Sequence, residues 1–275
     1  MTEPEVERLE RAARAIRRDV IEMTWRAGRN GAHIGGGLSM CEILSVLYLH
    51  VMNIRPGNLS NPDRDRFILS KGHGAIALYA ALKQAGFIGE ADLVLFKARG
   101  SDFWTHPRFL PERGFEFTSG SLGMGLSLGA GTAYALRRRA SQAKVYVYVG
   151  DGECNEGAVW EAAAFVAHHR LTNLTVVIDK NNLQLDAPTK DIIDMHNMAE
   201  RWAAFGFETI EADGHSVESL ITAFAVKPKG RPIAIIAETI KGKGVSFIEN
   251  NPAYHMNVLS ETLYKQAMAE QGVEL

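Results

Sequence analysis

Three short apolar runs constrain the fold of this chain more than any other feature. They are VYVYV at 145–149, LTVVI at 174–178 and PIAIIA at 232–237. None carries a charge, as expected of strands buried on both faces of a sheet. Helical patterns at 157–168, 199–205 and 217–226 alternate with them, and shorter strand patterns stand at 66–69 and 207–210. Such alternation predicts an α/β fold: a doubly wound, mostly parallel sheet with helices on both faces. The first half reads as helices over 5–28, 75–85, 90–98 and 121–139, with a loop rich in Pro, Asn and Asp over 53–65. Leu9, Ala13, Ile16, Val20 and Met23 recur at helical spacing in the first. Ser39 is placed to cap the helix that carries Ile43, Leu44 and Leu47. Without repeats or linkers, residues 1–275 read as one domain.

Composition excludes several function classes. The formal charge of −2 gives no field favouring nucleic acid or a membrane surface. No run approaches the roughly 20 apolar residues of a membrane span, and the charged N-terminus has no signal-peptide core. A cytoplasmic protein is the expectation. Cys41 falls in an apolar helical pattern and Cys154 beside an acidic loop, too few for a disulfide framework.

The first apolar run drives into Gly150-Asp151-Gly152-Glu153, and the second into Asp179-Lys180-Asn181-Asn182. One helix and one strand separate Asp151 from Asn181, so both stand at the carboxyl ends of adjacent parallel strands, where ligands bind in such sheets. A carboxylate, an amide oxygen and a backbone carbonyl are hard ligands that suit Mg²⁺ or Ca²⁺ rather than zinc. Mg²⁺ takes few protein ligands and completes its shell with phosphate oxygens and water. Glycines on both sides of Asp151 let a diphosphate approach the backbone, and the helix starting near Glu156 offers N–H groups to an anion. The site expected is one for a metal-bound diphosphate. From 121 to 139, glycine recurs where each would cost a helix about 1 kcal/mol. That spacing suggests another helix, or a ligand, lying against it.

GDG followed after roughly thirty residues by NN resembles the thiamine-diphosphate enzyme motif. GAHIGGGLS, SKGHGA, WTHP, TSGSLGMGLS, GDGECNEGAVWEA and IDKNNLQLD resemble, in order, the successive motifs of transketolases. The likeness is nearest to the separately encoded N-terminal subunit of a split transketolase. It implies thiamine diphosphate and Mg²⁺ as cofactors, with Ca²⁺ or Mn²⁺ as substitutes. Asp151, Asn181 and the Leu183 carbonyl would bind the metal. Gly152 and His73 would meet the diphosphate, while Gly120, Ser121 and Leu122 would cradle the cofactor. The family more often has proline where Ser121 stands. Glu156 matches a glutamate used across the subunit interface. His33, His106 and His255 would line the pocket above the thiazolium carbon as catalytic groups, with His255 also touching the cofactor. Imidazole suits proton movement on sugar hydroxyls near neutral pH. His168, His169, His196 and His215 match no motif and read as structural or surface residues. Lys241 and Lys243 in ETIKGKGVSF read either as an anion site or as a solvated turn.

The resemblance further implies a missing half: a C-terminal subunit with the pyrimidine-binding domain, joined as a two-plus-two heterotetramer. The expected reaction moves a two-carbon ketol unit from a ketose phosphate to an aldose phosphate. The contact surfaces expected are the glycine-spaced helix and the helix after the acidic loop. Two alternatives share the GDG…NN site: the α subunit of a 2-oxoacid dehydrogenase, and a regulatory subunit that binds cofactor without turnover.

Overall fold

The computed structural model describes residues 3–185 and 187–274, so Asp186, which closes the IDKNNLQLD motif, lies outside the described residues. Five strands form one sheet in the order β1-β2-β3-β7-β6, and every pairing in it is parallel. They are β1 (Arg66–Leu69), β2 (Val145–Gly150), β3 (Leu174–Lys180), β6 (Glu208–Asp213) and β7 (Ile233–Glu238). Between β3 and β6, β4 (Leu183–Gln184) and β5 (Ala187–Pro188) make a small antiparallel hairpin that the sequence did not announce.

The unbroken apolar character of β2 has a direct cause. Tyr146 and Tyr148 enter one core, while Val145, Val147 and Val149 enter the other. The first core is roofed by helices Glu3–Arg26, Cys41–Val46, Ala75–Gln84 and Val217–Ala225. The second is roofed by Met124–Arg138, Gly157–His168 and Met198–Ala204. Helices therefore cover both faces, as doubly wound topology requires. β6 departs from the pattern: as an edge strand it is only partly buried.

Three local expectations need correction. Ser39 is not a helix N-cap. The glycine-rich break itself folds into a short helix, Ile34–Leu38, and the next begins at Cys41 behind Met40. The Ser39 hydroxyl donates instead to Asp179 Oδ2 at 2.7 Å, with Gly36 O a further 3.1 Å neighbour. Nor do the glycines in Met124–Arg138 all await a partner. A Cβ at Gly125 would overlap Ser70, and one at Gly129 would overlap Val147 Cγ2. These glycines let the helix lie close on its own sheet. The predicted helix over 90–98 is shorter, Glu90–Val94. Among the described residues, no helix is long and apolar enough to cross a membrane.

Candidate active site

Register brings the acidic loop and its partner together. Gly150 pairs with Asp179 across β2 and β3, and Asp151 N donates to Asp179 O at 3.1 Å. Asp151 is buried, and both its oxygens are held: Oδ1 accepts from Gly152 N at 2.7 Å and Oδ2 from Asn182 N at 2.6 Å. Burial pushes its pKa up to about 6, and the neighbouring Asp179 charge adds to the rise. A carboxylate so raised gains from a cation beside it. Asn181 is buried next to it, and its Oδ1 accepts from Leu183 N at 3.1 Å. Asn182 stands at φ +60°, which asparagine tolerates better than most residues. Among the described residues, no three His, Cys, Asp or Glu side chains gather to hold a metal. The donors present, one carboxylate, one amide oxygen and a backbone carbonyl, are hard oxygens that fit a hard cation bringing ligands of its own.

The two glycines around Asp151 differ. A Cβ at Gly152 would come within 2.9 Å of Gln184 Cγ, so the chain itself crowds that position. A Cβ at Gly150 would meet nothing closer than Lys71 Cδ at 3.7 Å. The fold itself therefore demands glycine only at Gly152. Gly150 lines an open cavity.

That cavity, of about 350 Å³, collects nearly every residue singled out in the sequence. Asp151, Gly152, Glu156, Asn181 and Leu183 line it, together with His33, His73, His106, His255, Gly120 and Leu122. Ser121 is the exception: it lines a neighbouring cavity with Phe67 and Phe115. The His33 ring lies 5.4 Å from His73, 5.3 Å from His255 and 6.1 Å from His106, centroid to centroid. Burial drives His33 and His255 down to about 4, followed by the charge of His255 on His33 and of Lys241 on His255. Burial likewise lowers His73 and His106. At neutral pH these imidazoles are proton acceptors rather than cations. His33 Nδ1 is buried and makes no hydrogen bond among the described residues.

Two charged residues of the site, Lys71 and Glu153, had no role in the sequence reading. Lys71, only 2% exposed, forms an ion pair with the fully buried Asp179 and donates to Gly36 O at 3.0 Å. Burial pushes the Asp179 carboxyl up, but the Lys71 ammonium and the Ser39 and Thr239 hydroxyls outweigh it and hold it below the usual range. Lys71 thus ties the end of β3 to the short helix behind His33. Glu153 is buried too and accepts from Ser70 Oγ, from Gly123 N at 2.8 Å and from Gly150 N at 3.0 Å. It fastens the start of helix Met124–Arg138 to the acidic loop and neutralises that helix end. The positive end left near Asp151 is that of Gly157–His168, whose N-cap is Glu156. Lys241 places Nζ 2.9 Å from His255 Nδ1 and 3.3 Å from the Leu183 carbonyl. Of the two lysine readings, the solvated turn is wrong for Lys241, which is 2% exposed. Both cysteines are free and buried, and burial raises the Cys41 thiol to about 12 and Cys154 well above its ordinary value.

A parallel α/β sheet with these residues at its carboxyl edge agrees with the diphosphate-binding domain of thiamine-diphosphate enzymes that the motifs resembled. The chain belongs to the transketolase family: residues 7–274 match the family described as transketolase, thiamine diphosphate binding domain. It is a transferase component of the N-terminal subunit type. It is 42% identical over 91% of its length to an apulose-4-phosphate transketolase subunit of Actinobacillus succinogenes, of which it covers 91%. It is 38% identical over 98% of its length to the 6-deoxy-6-sulfo-D-fructose transketolase subunit SqwG of a Clostridium species, of which it covers 98%. The solved transketolase of Leishmania mexicana superposes with a TM-score of 0.90 at 29% identity. That match covers 97% of this chain but only 41% of the solved one.

Proposed function

We propose that this chain provides the diphosphate- and metal-binding half of a two-subunit transketolase that moves a two-carbon ketol unit between phosphorylated or otherwise anionic sugars. The observation that carries the proposal is one cavity shared by a hard-cation donor set and four neutral imidazoles. The metal we assign is Mg²⁺, held by Asp151, Asn181 Oδ1 and the Leu183 carbonyl, with Ca²⁺ or Mn²⁺ as substitutes. Gly152 and His73 would face the diphosphate, while Gly120, Leu122 and His255 would flank the cofactor, with Ser121 in the adjoining cavity. Lys241 would balance its charge. Thiamine diphosphate, when bound, supplies the nucleophilic carbon. His33, His106 and His255 would take protons from sugar hydroxyls and return them, and neutral imidazole is the form that can accept.

The partner would be a C-terminal subunit in a two-plus-two assembly, a reading supported by two relatives whose names call them subunits. We place its contact on Met124–Arg138 and Gly157–His168, where Met124 and Phe165 are exposed. Residues 1–275 act as one domain in this reading, and the location is cytoplasmic. The names of both relatives carry anionic sugars, one a phosphate and one a sulfo sugar. The test offers the reconstituted complex ketose phosphates and sulfo-ketoses with an aldose phosphate acceptor. Chain-shortened sugar products support ketol transfer. A parallel assay with a 2-oxoacid and lipoamide would place the chain with 2-oxoacid dehydrogenases if acyl-lipoamide formed there instead.

A further inference from the structure

Lys241 reaches the cavity from the loop after β7, and that loop is gripped from outside the site. Ile240 N donates to His215 Nε2 at 2.8 Å. His215 must therefore present a lone pair at Nε2 and carry its proton on Nδ1. Nδ1 lies 2.9 Å from Glu42 Oε2. The other Glu42 oxygen pairs with the Arg17 guanidinium, and Arg17 Nε donates to Lys243 O at 2.9 Å. Arg17 and Glu42 are both buried. The backbone is thus held one residue before Lys241 and two after it, with a single carboxylate joining the two holders. Gly242 N adds a third hold on Gly35 O at 2.9 Å, in the turn of helix behind His33.

The sequence around each holder suits the task. Gly214 lets the β6 end approach β7, since a Cβ there would overlap Thr239 Cγ2. Asp213 Oδ1 accepts from His215 N at 2.8 Å and turns the imidazole inward. Gly244 stands at φ +86°, where a Cβ would lie 2.6 Å from Arg17 Cδ. A lysine has long, rotatable reach, so its ammonium stays beside His255 and the Leu183 carbonyl only if its backbone is fixed.

We propose that Arg17, Glu42 and His215 are positioning residues that set Lys241 in the cofactor site, with His215 locked in its Nδ1–H tautomer. The proposal rests on the reading of Lys241 and His255 as site residues. His215→Gln and His215→Asn separate its two bonds. Glutamine sets an amide oxygen where Nε2 stands and keeps an acceptor for Ile240 N. Asparagine keeps a donor to Glu42 but loses that acceptor.

Ring ¹⁵N spectra of the full chain give the His215 tautomer and the His255 Nδ1 shift, which reads the Lys241 contact without any cofactor. Calorimetry of the chain with its partner subunit, in Mg²⁺, gives thiamine diphosphate affinity. The expected result is an Nδ1–H tautomer in the wild type. In His215→Asn the His255 shift moves and affinity falls about tenfold, the scale of one lost hydrogen bond. In His215→Gln, which keeps the hold on Ile240 N but loses the donor to Glu42, both change less than in His215→Asn. An Nε2–H tautomer, or equal effects of the two substitutions, would overturn the proposal. Lys241→Met, measured alongside, reads the site assignment on its own. If it loses affinity while both His215 variants do not, the relay alone fails. If it binds cofactor normally, the reading of Lys241 as a site residue fails, and the relay with it.

Discussion

The acidic loop and the histidine cluster share one cavity but reach neutrality from opposite sides. Burial lifts Asp151 to about 6 and drops His33 and His255 to about 4. Desolvation favours the uncharged form in each case. The consequences differ, because the carboxylate must be charged to bind a cation and the imidazoles must be uncharged to accept protons. In the proposed function the first region would need a metal to complete it, whereas the second would act as folded. Lys71 joins them, through Asp179 on one side and Gly36 on the other.

Breaking that joint should have the largest effect. Lys71→Met leaves the buried Asp179 carboxylate without its cation, which costs about 3–5 kcal/mol in comparable buried pairs. Denaturant titration would read it, and Lys71→Met with Asp179→Asn should recover a large part of the loss. If Lys71→Met is as stable as the wild type, the pair does not hold the two regions together.

The next two substitutions separate the regions by function. Asp151→Asn should weaken metal-dependent thiamine diphosphate binding by more than about 100-fold, since loss of a direct ligand exceeds the effects seen beyond the ligands. Calorimetry in Mg²⁺ and in EDTA checks it. His33→Asn should leave that affinity within about threefold while turnover of the assembled enzyme falls about 100-fold or more, the usual range for a proton-transfer group. A His33 variant with lost affinity and intact turnover would reverse the division of labour.

The smallest effect is a pair of opposed pH slopes in the metal-free chain. The histidines, depressed from 6.5 to about 4, contribute stability that is present above 6.5 and lost as pH falls towards 4. Asp151, raised from 3.8 to about 6, works the other way: the metal-free fold loses stability as pH rises through that window. Melting curves in EDTA should show His33→Asn with His255→Asn holding its melting temperature better than wild type at acid pH. Asp151→Asn should instead flatten the decline towards pH 6. Each change should amount to a few degrees, at roughly 2–4 °C per kcal/mol for a chain near this size.

The acidic loop was legible in the sequence because its geometry is local. One βα unit sets Asp151 and Asn181 at neighbouring strand ends, and the parallel register Gly150 to Asp179 delivers that arrangement. The histidine cluster is not local: its members come from four separated loops, and only motif resemblance gathered them. Lys71 and Glu153 escaped notice because charged side chains are seldom buried, and their partners lie 108 and 83 residues away. His215 read as structural or surface; its partners Glu42 and Ile240 are 173 and 25 residues distant, and no periodicity connects them. Glycine spacing in Met124–Arg138 pointed outward in the sequence but mostly serves inward contact, because Ser70 and Val147 lie on the sheet side that the helix pattern cannot see.

In the proposed function this chain holds half of an active site. Ketol transfer in Mg²⁺ and thiamine diphosphate is to be measured with the chain alone, the C-terminal subunit alone, and both together. Sugar products are expected only from the mixture. Turnover by this chain alone at the rate of the mixture would contradict the claim.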